Sequence, residues 1–202
     1  MRRRYFLAGI ALVVLSSACG SSTARRTDPA AAAVTLAKAV TDLRAGHTAL
    51  ATREFRTVVK LDPGNKFAWF DLGVGAGTAG HVGEADRDYR RAIAIDPGFE
   101  PALFNYGYDQ YGNKHYAAAA QFLRRATDAN PNDAGAHLYF GLALAIQAGS
   151  NPTLGKEATD ELEFAVKLNP AFRKELQQSI LGFVPTQPGP TASTTTQSAT
   201  PP

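Results

Sequence analysis

The sequence predicts an all-α fold, a stack of repeated helix hairpins. Three observations predict it. Pro63, Pro97 and Pro131 stand 34 residues apart, each in a matching phrase: Leu61-Asp62-Pro63-Gly64, Ile95-Asp96-Pro97-Gly98 and Ala129-Asn130-Pro131-Asn132. Gly73, Gly107 and Gly141 keep the same step, as do Ala51, Ala85 and Ala119. Phe55, Tyr89 and Leu123 fill one large position of the period, and Val58, Ala92 and Ala126 a small one. A period of this length is one supersecondary unit that cannot bury its apolar face alone, so units stack and the array becomes the core. The phrase Leu168-Asn169-Pro170-Ala171 follows 39 residues after the third, which implies a five-residue insertion in the last unit.

Taken in order, the chain opens with Arg2–Arg4, an apolar stretch Tyr5–Leu15 and the small residues Ser16, Ser17 and Ala18. That is the pattern of a secretion signal. Cys19, the only cysteine in the chain, comes next. Leu15-Ser16-Ser17-Ala18-Cys19 resembles the lipobox of bacterial lipoproteins, although Ser16 stands where that family usually has Leu. The resemblance implies a signal peptide at 1–18, a diacylglyceryl (palmitate-bearing) anchor on Cys19 and attachment to the extracytoplasmic face of the cell membrane. A cleaved secretory signal with an incidental cysteine, or an uncleaved anchor, are the other readings of the same residues. Residues 19–31 are small, polar and basic, and read as a membrane tether; the nine residues Gly20–Asp28 reach roughly 30 Å at most.

The repeat phase places helix pairs at 32–44 with 48–61, 66–79 with 82–95, 100–112 with 115–129, and 133–148 with 155–168. The segment Gly149–Gly155, containing Asn-Pro, reads as a long loop that holds the insertion. Phe172, Leu176 and Ile180 recur at i, i+4 and i+8, so a last helix near 171–181 is expected to cap the open end of the stack. The predicted folded body is thus 32–184. The tail 185–202 has five prolines, eight Ser or Thr residues and no charge, a composition that cannot offset the entropy of folding. Disorder is expected there, with Thr194-Thr195-Thr196 open to O-glycosylation or simply unmodified.

These units resemble the tetratricopeptide repeat (TPR) family. Its unit has a bulky fourth residue, a large seventh, small eighth and twentieth residues, a large twenty-fourth, a small twenty-seventh and a proline at 32. Residues Lys66–Phe99 supply Trp69, Leu72, Gly73, Ala85, Tyr89, Ala92 and Pro97 at those places. Residues Glu100–Asp133 supply Leu103, Tyr106, Gly107, Ala119, Leu123, Ala126 and Pro131. The next unit begins at Ala134 with His137, Phe140 and Gly141, while the first is degenerate in its leading helix, where Ala39 takes the glycine place. The match runs over roughly residues 32–170 and implies a solenoid of about four repeats. The mechanics are plain. Glycine at the eighth place lets the two backbones of a hairpin approach, the large twenty-fourth residue fills the space beyond, and proline ends the second helix.

Composition closes off several functions. Lys plus Arg number 21 against 18 Asp plus Glu, and three of the cations are Arg2–Arg4, so the remainder is balanced and no nucleic-acid surface is expected. A single cysteine excludes a disulfide framework and a Cys-based zinc site. His47, His81 and His115 also repeat at 34, at the turn inside each hairpin. Successive copies lie about 8–10 Å apart, too far to close on one metal. His137 takes a bulky position and is expected to pack. Gly73-Val74-Gly75-Ala76-Gly77 follows no strand, so a dinucleotide loop is excluded. Arg90-Arg91 and Arg124-Arg125 read as a solvated outer face, or as a basic stripe for an anionic surface. No catalytic set, metal or cofactor is expected.

The family resemblance implies instead that the first helices line a concave groove where peptides or partner helices dock. Carried onto this sequence, that lining includes Phe67, Phe70, Asp71 and Val74, then Phe104, Asn105, Tyr108 and Tyr111, then Leu138, Tyr139 and Leu142. The set is apolar and aromatic, with no Lys or Arg of the kind that captures acidic peptides. The reading is a lipid-anchored, non-enzymatic scaffold that binds a protein or peptide partner in this groove. The alternative is an envelope assembly factor that holds apolar client segments transiently, and the groove could also be filled by the chain itself.

Overall fold

The structure, a computed structural model, describes residues 27–180. The expected signal peptide, Cys19, most of the tether and the tail lie outside the described residues. Among the described residues there are nine helices and no strand: α1 Pro29–Arg44, α2 Thr48–Leu61, α3 Lys66–Thr78, α4 Val82–Ile95, α5 Glu100–Gly112, α6 Tyr116–Ala129, α7 Ala134–Ala148, α8 Pro152–Leu168 and α9 Phe172–Ile180. None is long and apolar enough to cross a membrane.

Each odd helix pairs with the next as a hairpin, and each hairpin meets the following one through its second helix: α2 on α3, α4 on α5, α6 on α7. First helices also touch one another, α3 with α5 and α5 with α7. This is the stacked solenoid expected from the period.

The glycine rule holds in detail. A Cβ on Gly73 would lie 2.7 Å from the Tyr89 ring, one on Gly107 2.7 Å from Leu123 Cγ, and one on Gly141 2.8 Å from Leu162 Cγ. In all three hairpins the large residue of the second helix occupies the volume that a side chain would need. The core around these contacts is built largely of alanine, with Ala39, Ala51, Ala68, Ala92, Ala102, Ala119, Ala126, Ala136 and Ala165 fully buried. Phe55, Leu103, Tyr106 and Leu123 supply its bulk.

The proline turns also follow one scheme. Asp62 Oδ1 accepts from the Gly64 amide at 3.0 Å and Asp96 Oδ1 from that of Gly98 at 3.0 Å. Asn130 and Asn169 accept from Asn132 at 3.2 Å and Ala171 at 3.1 Å. Each is a side chain closing a tight turn on a backbone amide two residues on. In two units the fourth residue also locks onto this turn. Trp69 Nε1 donates to the Pro63 carbonyl at 2.9 Å, and His137 Nε2 to the Pro131 carbonyl at 3.1 Å.

Two boundaries differ from the sequence expectation. Helix α1 begins at Pro29, inside the predicted tether, because Asp28 caps it through the Ala31 amide at 2.9 Å and proline suits the first turn. Helix α8 begins at Pro152, so Gly149–Gly155 is not one long loop. Asn151 accepts from the amides of Thr153 and Leu154 at 3.0 and 3.3 Å, and Pro152 starts the helix. The five inserted residues therefore lengthen the two helices rather than a loop: α7 has 15 residues against 13 in α5, and α8 has 17 against 14 in α6. Helix α9 packs on α8.

Candidate functional site

The face shared by the first helices α3, α5 and α7 carries most of the residues expected to bind. Phe67 is 44% exposed, and Phe70, Asp71, Val74, Phe104, Tyr108, Tyr111, Tyr139 and Leu142 are all partly exposed. Two expected members behave otherwise. Asn105 is only 4% exposed and donates its amide to the Pro101 carbonyl at 2.8 Å, within its own helix. Leu138 is also 4% exposed. Both belong to the wall behind the face rather than to its surface.

The aromatic side chains are not spread as isolated contacts. Phe67 and Phe70 meet Phe99 edge-on, with ring centres at 5.4 and 5.6 Å. Farther along, Phe104 stacks on Tyr108 at 6.2 Å, and Tyr139 stands edge-on to Tyr108 at 4.7 Å and to Tyr111 at 5.5 Å. Such pairs add about 0.5–1.5 kcal/mol each beyond burial, so this face is preorganised. Burial raises the Tyr108 and Tyr111 phenols above their ordinary value, and a hydrogen bond with Tyr139 partly offsets this at Tyr108.

Acidic groups accompany these rings on α3 and α5. Burial pushes Asp71 up to about 7. Burial, and then the neighbouring Asp86 charge, push Asp109 up to about 6. Asp109 reaches across from α5 to the end of α3: its Oδ2 lies 3.2 Å from the point a Gly77 Cβ would occupy, and the Tyr89 hydroxyl 3.8 Å from that point. Burial first, then the charges of Asp109 and Asp71, raise the Tyr89 phenol. At the start of α5, Glu100 is raised to about 8 by burial and by its hydrogen bond with Asp133. Sequence reasoning named Asp71 but missed Asp109. The available signal was its place one turn after Asn105, on the same side of α5.

The histidines offer no metal site. His47, His81 and His115 stand one residue before α2, α4 and α6. Among the described residues, no group of three or more His, Cys, Asp or Glu side chains could hold an ion. His137 is 8% exposed, places Nδ1 2.5 Å from Glu161 Oε2 and meets the Phe164 ring edge-on at 4.7 Å. It packs, as expected. The outer arginines are partly tied down. Arg90 Nε donates to the Tyr106 hydroxyl at 2.9 Å, and Arg125 to the Pro97 carbonyl at 2.9 Å.

No protein-family model matches the sequence, and no curated protein matches it. Solved structures do match the fold. A crystal structure of MamA superposes with a TM-score of 0.61 at 21% identity, covering 73% of this chain and 83% of that one. The first TPR of Spaghetti (RPAP3), bound to the HSP90 peptide SRMEEVD, gives 0.57 at 17% identity over 61% and 98%. PilF of Pseudomonas aeruginosa gives 0.58 at 25% identity over 74% and 71%. The fold is a tetratricopeptide-repeat solenoid. In this TPR solenoid the site lies where first helices of successive repeats adjoin.

Proposed function

We propose that this TPR protein is a lipid-anchored, extracytoplasmic scaffold that binds a protein or peptide segment in a groove formed by α3, α5 and α7. One observation carries the binding role: these helices adjoin and present Phe67, Phe70, Phe104, Tyr108, Tyr111 and Tyr139 without full burial. A contiguous aromatic face with hydroxyls at its rim suits an apolar helix or extended segment. The peptide held by the related Spaghetti domain supports a peptide role for this fold. The anchor rests on Leu15-Ser16-Ser17-Ala18-Cys19. Acyl chains contribute about 0.8 kcal/mol per buried CH₂, so two or more hold the protein to a bilayer. The chain performs no chemistry; it fixes a partner at the membrane surface.

Crosslinking of the full chain in membranes, followed by mass spectrometry, identifies the partner and the group on Cys19. A Phe70→Ala, Tyr108→Ala double variant is then expected to lose the purified partner by at least tenfold in Kd while keeping its helical circular dichroism. Unaltered capture by that variant rejects the groove. A Cys19→Ser chain that stays with the membrane fraction rejects the anchor.

A further inference from the structure

The balanced composition conceals a division between the two helix layers. Helices α2, α4 and α6 together carry eight Lys or Arg against five Asp or Glu. Helices α3, α5 and α7 carry Lys66 against Asp71, Glu100 and Asp109. The basic excess lies outward. Arg56, Arg90 and Arg124 recur one repeat apart and are exposed, off the buried stripes that hold Phe55, Tyr89 and Leu123. Most acids of these helices are engaged within the body. Glu54 turns to Lys38 of α1, Asp88 is buried beside Arg87, and Asp86 accepts from Gln110 at 2.8 Å and lies 3.5 Å from Arg90. Glu84 lies 3.8 Å from Arg56, which ties α2 to α4 across the face, and exposed Asp128 is the exception. Arg53, Lys60, Arg91 and Arg124 are exposed, and their side chains have no ion-pair or hydrogen-bond partner among the described residues.

Arg125 is held in place on the same layer without an acid. It donates to the Pro97 carbonyl at 2.9 Å, with its guanidinium carbon 5.4 Å from the centre of the Phe122 ring. A guanidinium fixed in this way keeps N–H groups for phosphate oxygens at a reduced entropy cost. The leading segment enters at the edge of this face. The Asp28 amide donates to the carbonyl of Leu61, the residue after Lys60, and Arg25 and Arg26 stand just before it in the chain. We propose that the outer face of α2, α4 and α6 docks on anionic phospholipid, with Arg53, Lys60, Arg91 and Arg124 at the lipid phosphates. Charge complementarity and the place where the leading segment joins both name the bilayer as the occupant. The inference goes beyond the groove reading, and takes from the anchor reading only that a bilayer lies within reach of Asp28. Each Lys or Arg near an anionic surface strengthens attachment about fivefold. Four of them therefore select which side of the body faces the lipid, and the first-helix layer is left to the partner.

The test mixes the full chain with an excess of vesicles, made either of phosphatidylcholine alone or of equal parts phosphatidylcholine and phosphatidylglycerol. Phenylglyoxal then modifies accessible guanidinium groups, and peptide mass spectrometry reads the rate at each arginine. Arg53, Arg91 and Arg124 are expected to react about fivefold more slowly on the phosphatidylglycerol vesicles. Exposed Arg173 of α9 should react equally on both. Salt near about 1 M, where the screening length falls to about 3 Å, should remove the protection. An Arg91→Gln, Arg124→Gln chain, whose changes break no contact among the described residues, should lose the protection of Arg53 as well. Equal rates on the two vesicles overturn the docking face. Protection of Arg53 that persists in the double variant reports only the nearness of the leading segment and also overturns it. Inorganic phosphate that protects as well as the lipid makes this a site for the free ion, and protection that needs added membrane proteins assigns the face to an acidic protein; either result overturns the lipid assignment. Capture of a partner by the groove is measured separately with the Phe70→Ala, Tyr108→Ala chain, so each reading can fail alone.

Discussion

At the scale of single residues, glycine separates two effects that sequence alone merges. Gly107 is required for close approach, since any Cβ would strike Leu123 at 2.7 Å. Gly155 lies inside α8 with nothing within 4 Å of its Cβ position. Gly107→Ala is therefore expected to destabilise by about 1–3 kcal/mol through overpacking. Gly155→Ala is expected to stabilise by about 0.5–1 kcal/mol through helix propensity. Urea melts of the two variants check both signs, and equal signs would contradict the packing argument. The periodic glycines were legible because each recurs in register with a large partner 16 or 21 residues later. Asp109 was less legible, because it follows no period and its surroundings belong to the neighbouring repeat, where its side chain meets Gly77.

At the scale of elements, the chain reuses one hairpin and one proline turn, and the sequence predicted most helix bounds to within a residue or two. The failures have a common cause. Asp28-Pro29 and Asn151-Pro152 were read as loop chemistry, yet Asp or Asn before Pro is also the natural start of a helix. Composition cannot distinguish the two; the hydrogen bonds from Ala31, Thr153 and Leu154 do. Asn151→Ala should consequently cost about 1 kcal/mol and fray the first turn of α8. Amide exchange at Thr153 and Leu154, faster in the variant than in the parent chain, reports it. The groove residues were legible only through the family pattern, and burial separates Asn105 and Leu138 from the rest because both face the wall of the stack.

At the scale of the whole molecule, several raised carboxyls act together. Asp71 at about 7, Asp109 at about 6 and Glu100 at about 8 all stand above their unfolded values near 4. The folded state therefore binds more protons than the unfolded one across this interval. Their contribution is fully present below about pH 4 and is lost as pH rises through about 6 to 8. The exposed pairs Lys38–Asp42 and Lys66–Asp96 hold their carboxylates low and act in the opposite sense, at more acidic pH. The melting temperature is expected to be higher at pH 5 than at pH 8, and an Asp71→Asn, Glu100→Gln chain should flatten the difference; a parent chain equally stable at both pH values excludes the effect. One backbone bond also fixes where the leading segment joins the body. The Asp28 amide donates to the Leu61 carbonyl at 2.9 Å, so the chain arrives beside the Pro63 turn. If the leading segment is the leash proposed above, it leads off from the proline-turn border and keeps that border within roughly 30 Å of the lipid headgroups. The histidine-bearing turns lie at the other ends of the hairpins, so any such leash is tied to the border opposite them.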